Sequence, residues 1–310
     1  MVNPFRTAAN GACCALCALA LVSAPPVHAG SRWDAPSAQL EMRAIHDSEL
    51  FPGSALSTPD RGMELSGTIE TARRLSPKAK LSLGGVAGGQ AWDRFSEASY
   101  GWAGLNSTVR IGNTQLRGDV EWTPQRLKFP AELEGGKFAR LESRLGIRQA
   151  LSPSLRLRVE GRHQTDDFVT SYDVRDGSTN EGYGQLALRV NDRITLRTDA
   201  LVGRTRTTSR KYGHSDRAVG GSLAASLGAW RLDTGVWSGL SRYRDAISGD
   251  SNFRRRDQWI QLRAEARRAI GGGFAAIAGA EYTDQNSSRL DRSYTRTTAK
   301  LGLAWTATGE

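Results

Sequence analysis

From residue 37 to residue 305 one pattern repeats: apolar or small residues alternate strictly with polar ones, a turn follows, and the alternation begins again. Alternation with period two is the signature of a strand that keeps one face greasy and the other wet. Fourteen such stretches are present, from Leu40/Met42/Ala44 through Leu155/Leu157/Val159 to Ala299/Leu301/Leu303/Trp305. Their connections sort by parity. Short turns at "RLSPK", "IGN", "ALSPS", "VNDR", "LGA" and "AIGGG" alternate with longer links at 46–61, 93–98, 128–136, 165–181, 206–216, 243–255 and 284–292. A soluble sandwich has no reason to separate its loops in this way. A membrane-spanning up-and-down antiparallel β-barrel does, with tight turns at one rim, longer loops at the other and an even strand count.

The expected fold is therefore an all-β transmembrane barrel of about fourteen strands, its apolar faces on lipid and its polar faces around an interior. The aromatic residues agree. Trp122 and Tyr282 fall on apolar faces near the long-loop ends, and Trp230, Phe274 and Trp305 on apolar faces near the short-turn ends. Two interfacial girdles are the expected result. No apolar run beyond the N-terminus is long enough for a membrane helix, and 39% apolar content suits a chain in which every second residue faces lipid.

The N-terminus reads as an export signal, residues 1–29: Arg6 in a small basic region, the apolar "ACCALCALALV", then "VHA" with cleavage between Ala29 and Gly30. Residues 30–36 are expected to lie in the periplasm and 37–310 to form the barrel. Cys13, Cys14 and Cys17 all lie inside the signal, so the exported chain would fold without thiols. The formal charge of +10 falls by one when Arg6 leaves. In an exported chain that balance points to anionic lipid headgroups or anionic solutes, and not to nucleic acid.

If the apolar faces meet lipid, the alternate residues line the interior. Arg117, Asp119, Arg140, Glu142, Arg144, Arg148, Arg156, Arg158, Glu160, Arg162, Arg189, Arg197, Arg231, Arg263, Arg267 and Arg296 are the expected pore-lining set. Tight turns would set Glu142 opposite Arg162, Arg144 opposite Glu160, Arg148 opposite Arg156, and Glu70 opposite Lys80. Two readings of these charges stay open: a wet, weakly anion-favouring wall, or cross-strand pairs that stiffen the barrel. Inward small residues such as Gly88, Ser222, Gly220, Ala224, Gly239 and Gly279 are expected to leave space. The loop 166–180, with Asp166, Asp167, Asp173 and Asp176, could fold inward to meet lumen arginines or simply cap the barrel.

Catalytic patterns are absent from the sequence: it has no HExxH, no GxSxG, no phosphate-cradling loop and no Cys/His metal spacing. His163 shares the parity of Leu155 and belongs to the outer face. His214, with Ser215 and Asp216, is the nearest thing to a triad fragment. A non-enzymatic protein without metal or cofactor is expected. The basic stretches 204–217 and 242–257 would meet lipopolysaccharide phosphates or form solvated hairpin tips.

The opening hairpin "AIHDSELF" (44–51) resembles the motif that begins many barrels of the β-barrel porin 2 group. The close, "AEYTDQNSSRLDRSYTRTTAKLGLAW" (280–305), is similar to that group's ending. "KLGLAWTA" also resembles the signal read by the barrel-assembly machinery. The group includes presumed pores and barrels linked to export of extracellular polysaccharide, which is what the resemblance implies for function. The expectation is a bacterial outer-membrane channel passing small hydrophilic, weakly anion-preferred solutes. The alternatives are an export barrel for an anionic polysaccharide and an accessory barrel enclosing a partner protein.

Overall fold

The structure, a computed structural model, describes residues 33–50, 58–127, 137–168, 170–246, 254–289 and 292–307. The expected signal segment and its Ala29/Gly30 junction lie outside these residues. Fourteen strands run β1 Ser37–Asp47, β2 Asp60–Ser76, β3 Ala79–Trp92, β4 Tyr100–Ile111, β5 Thr114–Leu127, β6 Lys137–Ala150 and β7 Leu155–Phe168. They continue with β8 Gly177–Arg189, β9 Ile194–Thr207, β10 His214–Leu227, β11 Trp230–Ala246, β12 Arg254–Gly271, β13 Phe274–Ser287 and β14 Tyr294–Ala307. Each pairs antiparallel with its sequence neighbours, and β1 closes on β14, setting Leu40 opposite Trp305 and Ala44 opposite Leu301. Closure removes every sheet edge, so the strand backbones pair within the wall except at bulges and uneven strand ends.

The alternation sorts the faces as expected. Leu105, Leu145, Val219 and Leu301 stand 65–73% exposed on the outside, where a water-soluble protein would not leave them. Trp122, Tyr282, Trp230 and Phe274 are exposed on the same outer face. Trp305 joins them, opposite Phe274. His163 is also outside, its Nδ1 2.9 Å from Asn180 Oδ1. Three of the six tight turns rest on glycine. Gly112 and Gly228 begin two-residue links with φ of +55° and +62°, left-handed conformations that a side chain disfavours.

Several strands continue into segments whose polarity suggests loops. β9 reaches Thr207, β10 begins at His214, β11 runs to Ala246 and β12 begins at Arg254. Above the membrane both faces of a strand are wet, so the alternation that marks a strand disappears although the pairing continues. At the opposite rim Trp33–Pro36 lie along β2: Asp34 N–H donates to the Ala72 carbonyl at 2.6 Å, and Asp34 pairs with Lys80 at 2.9 Å.

Candidate functional site

The site is the inner wall, and its charges are mostly paired along the wall. Glu142, 5% exposed, receives Arg144 and Arg162; Arg162 also reaches Glu181 at 2.6 Å. Arg140 grips Asp166 through two bonds of 2.8 and 3.0 Å. Asp119 lies between Arg117 (3.4 Å) and Arg144 (3.8 Å), and Arg158 bonds Glu160 in its own strand. Asp233 takes Arg197 at 3.0 Å and Arg263 at 3.6 Å. Arg267 pairs with Glu41 at 2.7 Å, and Arg296 with Asp47. Arg148, Arg156 and Arg231 have no acidic partner among the described residues. Arg189 sits at the short-turn rim, bonded to the Pro153 carbonyl at 3.0 Å.

The expected cross-strand partners are displaced. Glu142 lies opposite Gln164, Arg144 opposite Arg162, Arg148 opposite Arg158, and Glu160 opposite Gly146. The cause is the turn. Leu151 and Ser152 N–H both bond the Leu155 carbonyl, and the Ser152 hydroxyl accepts from Ser154 and Leu155 N–H, which centres the link on Pro153. Glu70 faces Gly84 and Lys80 faces Arg74, because β2 runs on to a bulge between Arg74 and Ser76. Like charges therefore face each other, and acids neutralise them from diagonal and same-strand positions. Arg148 is the exception. Its nearest charges include Arg158, Arg117 and Arg156, with Glu160 the acid.

The small inward residues do not simply leave space. Four tryptophans missing from the expected set point inward, each directly opposite a glycine: Trp92/Gly62, Trp102/Gly88, Trp237/Gly220 and Trp259/Gly239. Each ring lies over its glycine, where an added Cβ would come within 2.4–2.9 Å of ring carbons. Other small positions are crossed by ionic arms. Arg43–Glu265 (3.1 Å) and Arg267–Glu41 span β14 and β13, where Gly302, Gly279, Ala304 and Ile277 stand opposite those four charges. Arg197–Asp233 likewise crosses β10 at Ser222 and Ala224. The parity of these tryptophans was readable in the sequence; their partnership with glycine required the register.

Two recesses open into the wall. One, of about 210 Å³, is lined by Arg144, Arg158, Glu160, Arg162, Tyr183 and Leu201. Tyr183 stacks on Trp237 with ring centres 6.4 Å apart and carries the Arg158 guanidinium 5.4 Å from its centre. The other, of about 300 Å³, lies over β12–β14 and is lined by Arg43, Trp92, Arg263, Glu265, Arg296 and Lys300 among others. Of the loop acids, Asp166 meets a lumen arginine, Asp176 accepts Phe168 N–H at 2.7 Å, and Asp167 and Asp173 are exposed. His214 Nε2 lies 3.3 Å from Asp216 on the inner face of β10, while Ser215 points to the opposite face, so the three form no triad. Among the described residues no group of His, Cys, Asp and Glu could hold a metal ion.

No protein-family model matches the chain, and no curated protein does. Solved structures match in fold. A bacterial polysaccharide outer membrane secretin superposes with a TM-score of 0.53 at 12% identity, covering 88% of this chain and 98% of its own. OmpT, an outer membrane protein of Vibrio cholerae, gives a TM-score of 0.53 at 6% identity over 89% of this chain and all of its own. At such identities the likeness is one of architecture. Together with the exposed apolar belt and its two aromatic girdles, it describes a closed fourteen-stranded barrel of the bacterial outer membrane.

Proposed function

We propose that the barrel is a non-catalytic channel for small hydrophilic solutes, with a preference for anions. The carrying observation is the arginine group Arg117, Arg148, Arg156 and Arg158 in the short-turn half of the lumen. Two of its members, Arg148 and Arg156, lack an acid partner, and Arg148 and Arg158 are directly opposed. A wall with surplus positive charge in a confined interior raises the local anion concentration and repels cations. The test is single-channel conductance and reversal potential in a potassium chloride gradient across a planar bilayer. Anion-selective steps whose preference weakens in Arg148→Ser/Arg156→Ser support the reading. A correctly inserted barrel that carries no current refutes it.

A second reading is supported by the rings: Trp102, Tyr183, Trp237 and Trp259 are half-buried on the inner face, beside paired arginines and carboxylates. Flat aromatic faces stack on sugar rings while charged and amide groups bond hydroxyls. A saccharide, including a polysaccharide such as the secretin's description names, would find both surfaces in one lumen.

A further inference from the structure

The outer face is not uniform around the barrel. At the long-loop ends of β9–β12 it carries Arg204, Arg206, Arg217, Arg242, Arg254 and Arg256, all exposed. Three of them lie in a single cross-strand row: Arg204 opposite Ser215, Ser215 opposite Arg242, and Arg242 opposite Arg256. Arg217 sits one row nearer the membrane, opposite Leu240 and Val202. Among the described residues none of the six has an acidic partner. Of the acids at these strand ends, Asp216 and Asp257 face inward, where they bond Ser241 and Arg255. On the other strands the corresponding outward positions hold residues such as Met63, Ala103, Trp122, Thr165, Asn180 and Thr297. Arg61 on β2 is a lone outward arginine there.

The height of the patch fits a headgroup. Outward Arg268, its guanidinium 5.3 Å from the Trp230 ring centre, marks the short-turn interface on β12, and Arg256 lies twelve residues further along the strand. At about 3.4 Å per residue and a tilt of about 40°, the two are roughly 31 Å apart in height, just beyond the roughly 25 Å apolar band of such barrels. Val202, Val219, Leu240 and Ile260 lie directly below on the same face. Arg242 and Arg256 in direct opposition repel each other and destabilise the pair unless an anion sits between them. Guanidinium forks match phosphate oxygens through paired hydrogen bonds.

We propose that this face is a binding site for phosphorylated glycolipid of the outer leaflet, with Arg204, Arg242 and Arg256 holding the phosphates and Arg217 at the acyl boundary. The site fixes one side of the barrel toward bound lipid and is independent of whether the lumen conducts.

The test uses the refolded full chain in phosphatidylcholine nanodiscs doped with bisphosphorylated lipid A or with the same glycolipid stripped of its phosphates. Bound lipid is counted by native mass spectrometry. The phosphorylated form is expected to be retained, and Arg204→Gln/Arg242→Gln/Arg256→Gln to weaken it at least tenfold. Arg61→Gln, on another side of the barrel, should leave retention unchanged. Heat-modifiable gel migration reports whether each variant is folded; if the triple variant is not, Arg206→Gln/Arg217→Gln is expected to weaken retention severalfold. Equal retention of the dephosphorylated glycolipid, or undiminished binding by the folded variants, overturns the proposal. Displacement of the lipid by an equal concentration of inorganic phosphate would also overturn it, by showing a generic anion patch.

Discussion

Asp47 and Asp60 face each other directly across β1 and β2, 1% and 2% exposed, yet they share no partner. Asp47 is clasped by Arg296 and accepts Glu49 N–H at 3.0 Å. Asp60 accepts three backbone N–H groups, those of Arg61 (2.7 Å), Arg94 (3.1 Å) and Phe95 (3.2 Å). Two buried carboxylates tolerate each other because one is neutralised by a guanidinium and the other by amide dipoles. Next to them Ile45, Trp92 and Ala98 form a small core, with Leu50 and Phe95 packed against it.

Arg296→Ala should therefore be costly. It leaves Asp47 buried without its cation, a loss on the order of 3–5 kcal/mol. Lys300→Ala removes an ammonium 3.4 Å from Glu64, which is less buried than Asp47 and keeps a bond from Gln90, and should cost no more than about 1 kcal/mol. Urea unfolding of both variants in the same detergent gives the comparison. Equal costs would mean that the Asp47 clasp contributes nothing beyond a partly buried pair.

Asp60→Ala should act locally. It strips acceptors from the N–H groups of Arg94 and Phe95 and releases the link between β3 and β4, while the ladder of β2 stays intact. Hydrogen exchange at 93–99 is expected to accelerate at least tenfold, with little change at 62–70. Uniform acceleration across β2 would show instead that Asp60 supports the barrel as a whole.

Most of the fold was legible in the sequence because side-chain alternation and loop parity are properties of consecutive residues. The inside and outside of each strand followed, including the outward placement of Trp122 and His163. Register was not legible: the Ser152–Leu155 turn and the bulge at Arg74/Ser76 each shift a hairpin, and such shifts decide which charges meet. The inner tryptophans were hidden for a related reason. A Trp with the polar parity of its strand reads as an oddity until the glycine beneath it is located on the next strand. The outward arginines of β9–β12 were visible as basic stretches. Only the pairing showed that they share one face.

The anion preference should depend steeply on salt. At about 0.1 M the screening length is roughly 10 Å, comparable with the reach of Arg148 and Arg156 into the lumen, and at about 1 M it is roughly 3 Å. Reversal potentials at a fixed concentration ratio should indicate strong anion preference in dilute potassium chloride and little in concentrated. A selectivity unchanged over that range would point to a narrow binding constriction in place of a charged wall.

The glycine platforms give the sharpest test of the inner rings. At Gly220 a Cβ would sit 2.5 Å from Trp237, and at Gly239 2.4 Å from Trp259, so neither ring can stay where it is once alanine is introduced. Gly220→Ala should cost about 1–3 kcal/mol through overpacking and break the Tyr183–Trp237 stack. Gly184→Ala, with nothing within 4 Å of its Cβ direction on the outer face, is the matched control and should be nearly silent. If the rings serve sugar passage, Gly220→Ala and Trp237→Ala should both weaken the block of channel current by an acidic oligosaccharide, while chloride conductance changes little. Undiminished block in both variants would remove the stacked pair from any role in recognising the solute and leave Trp237 as the cover of a bare glycine.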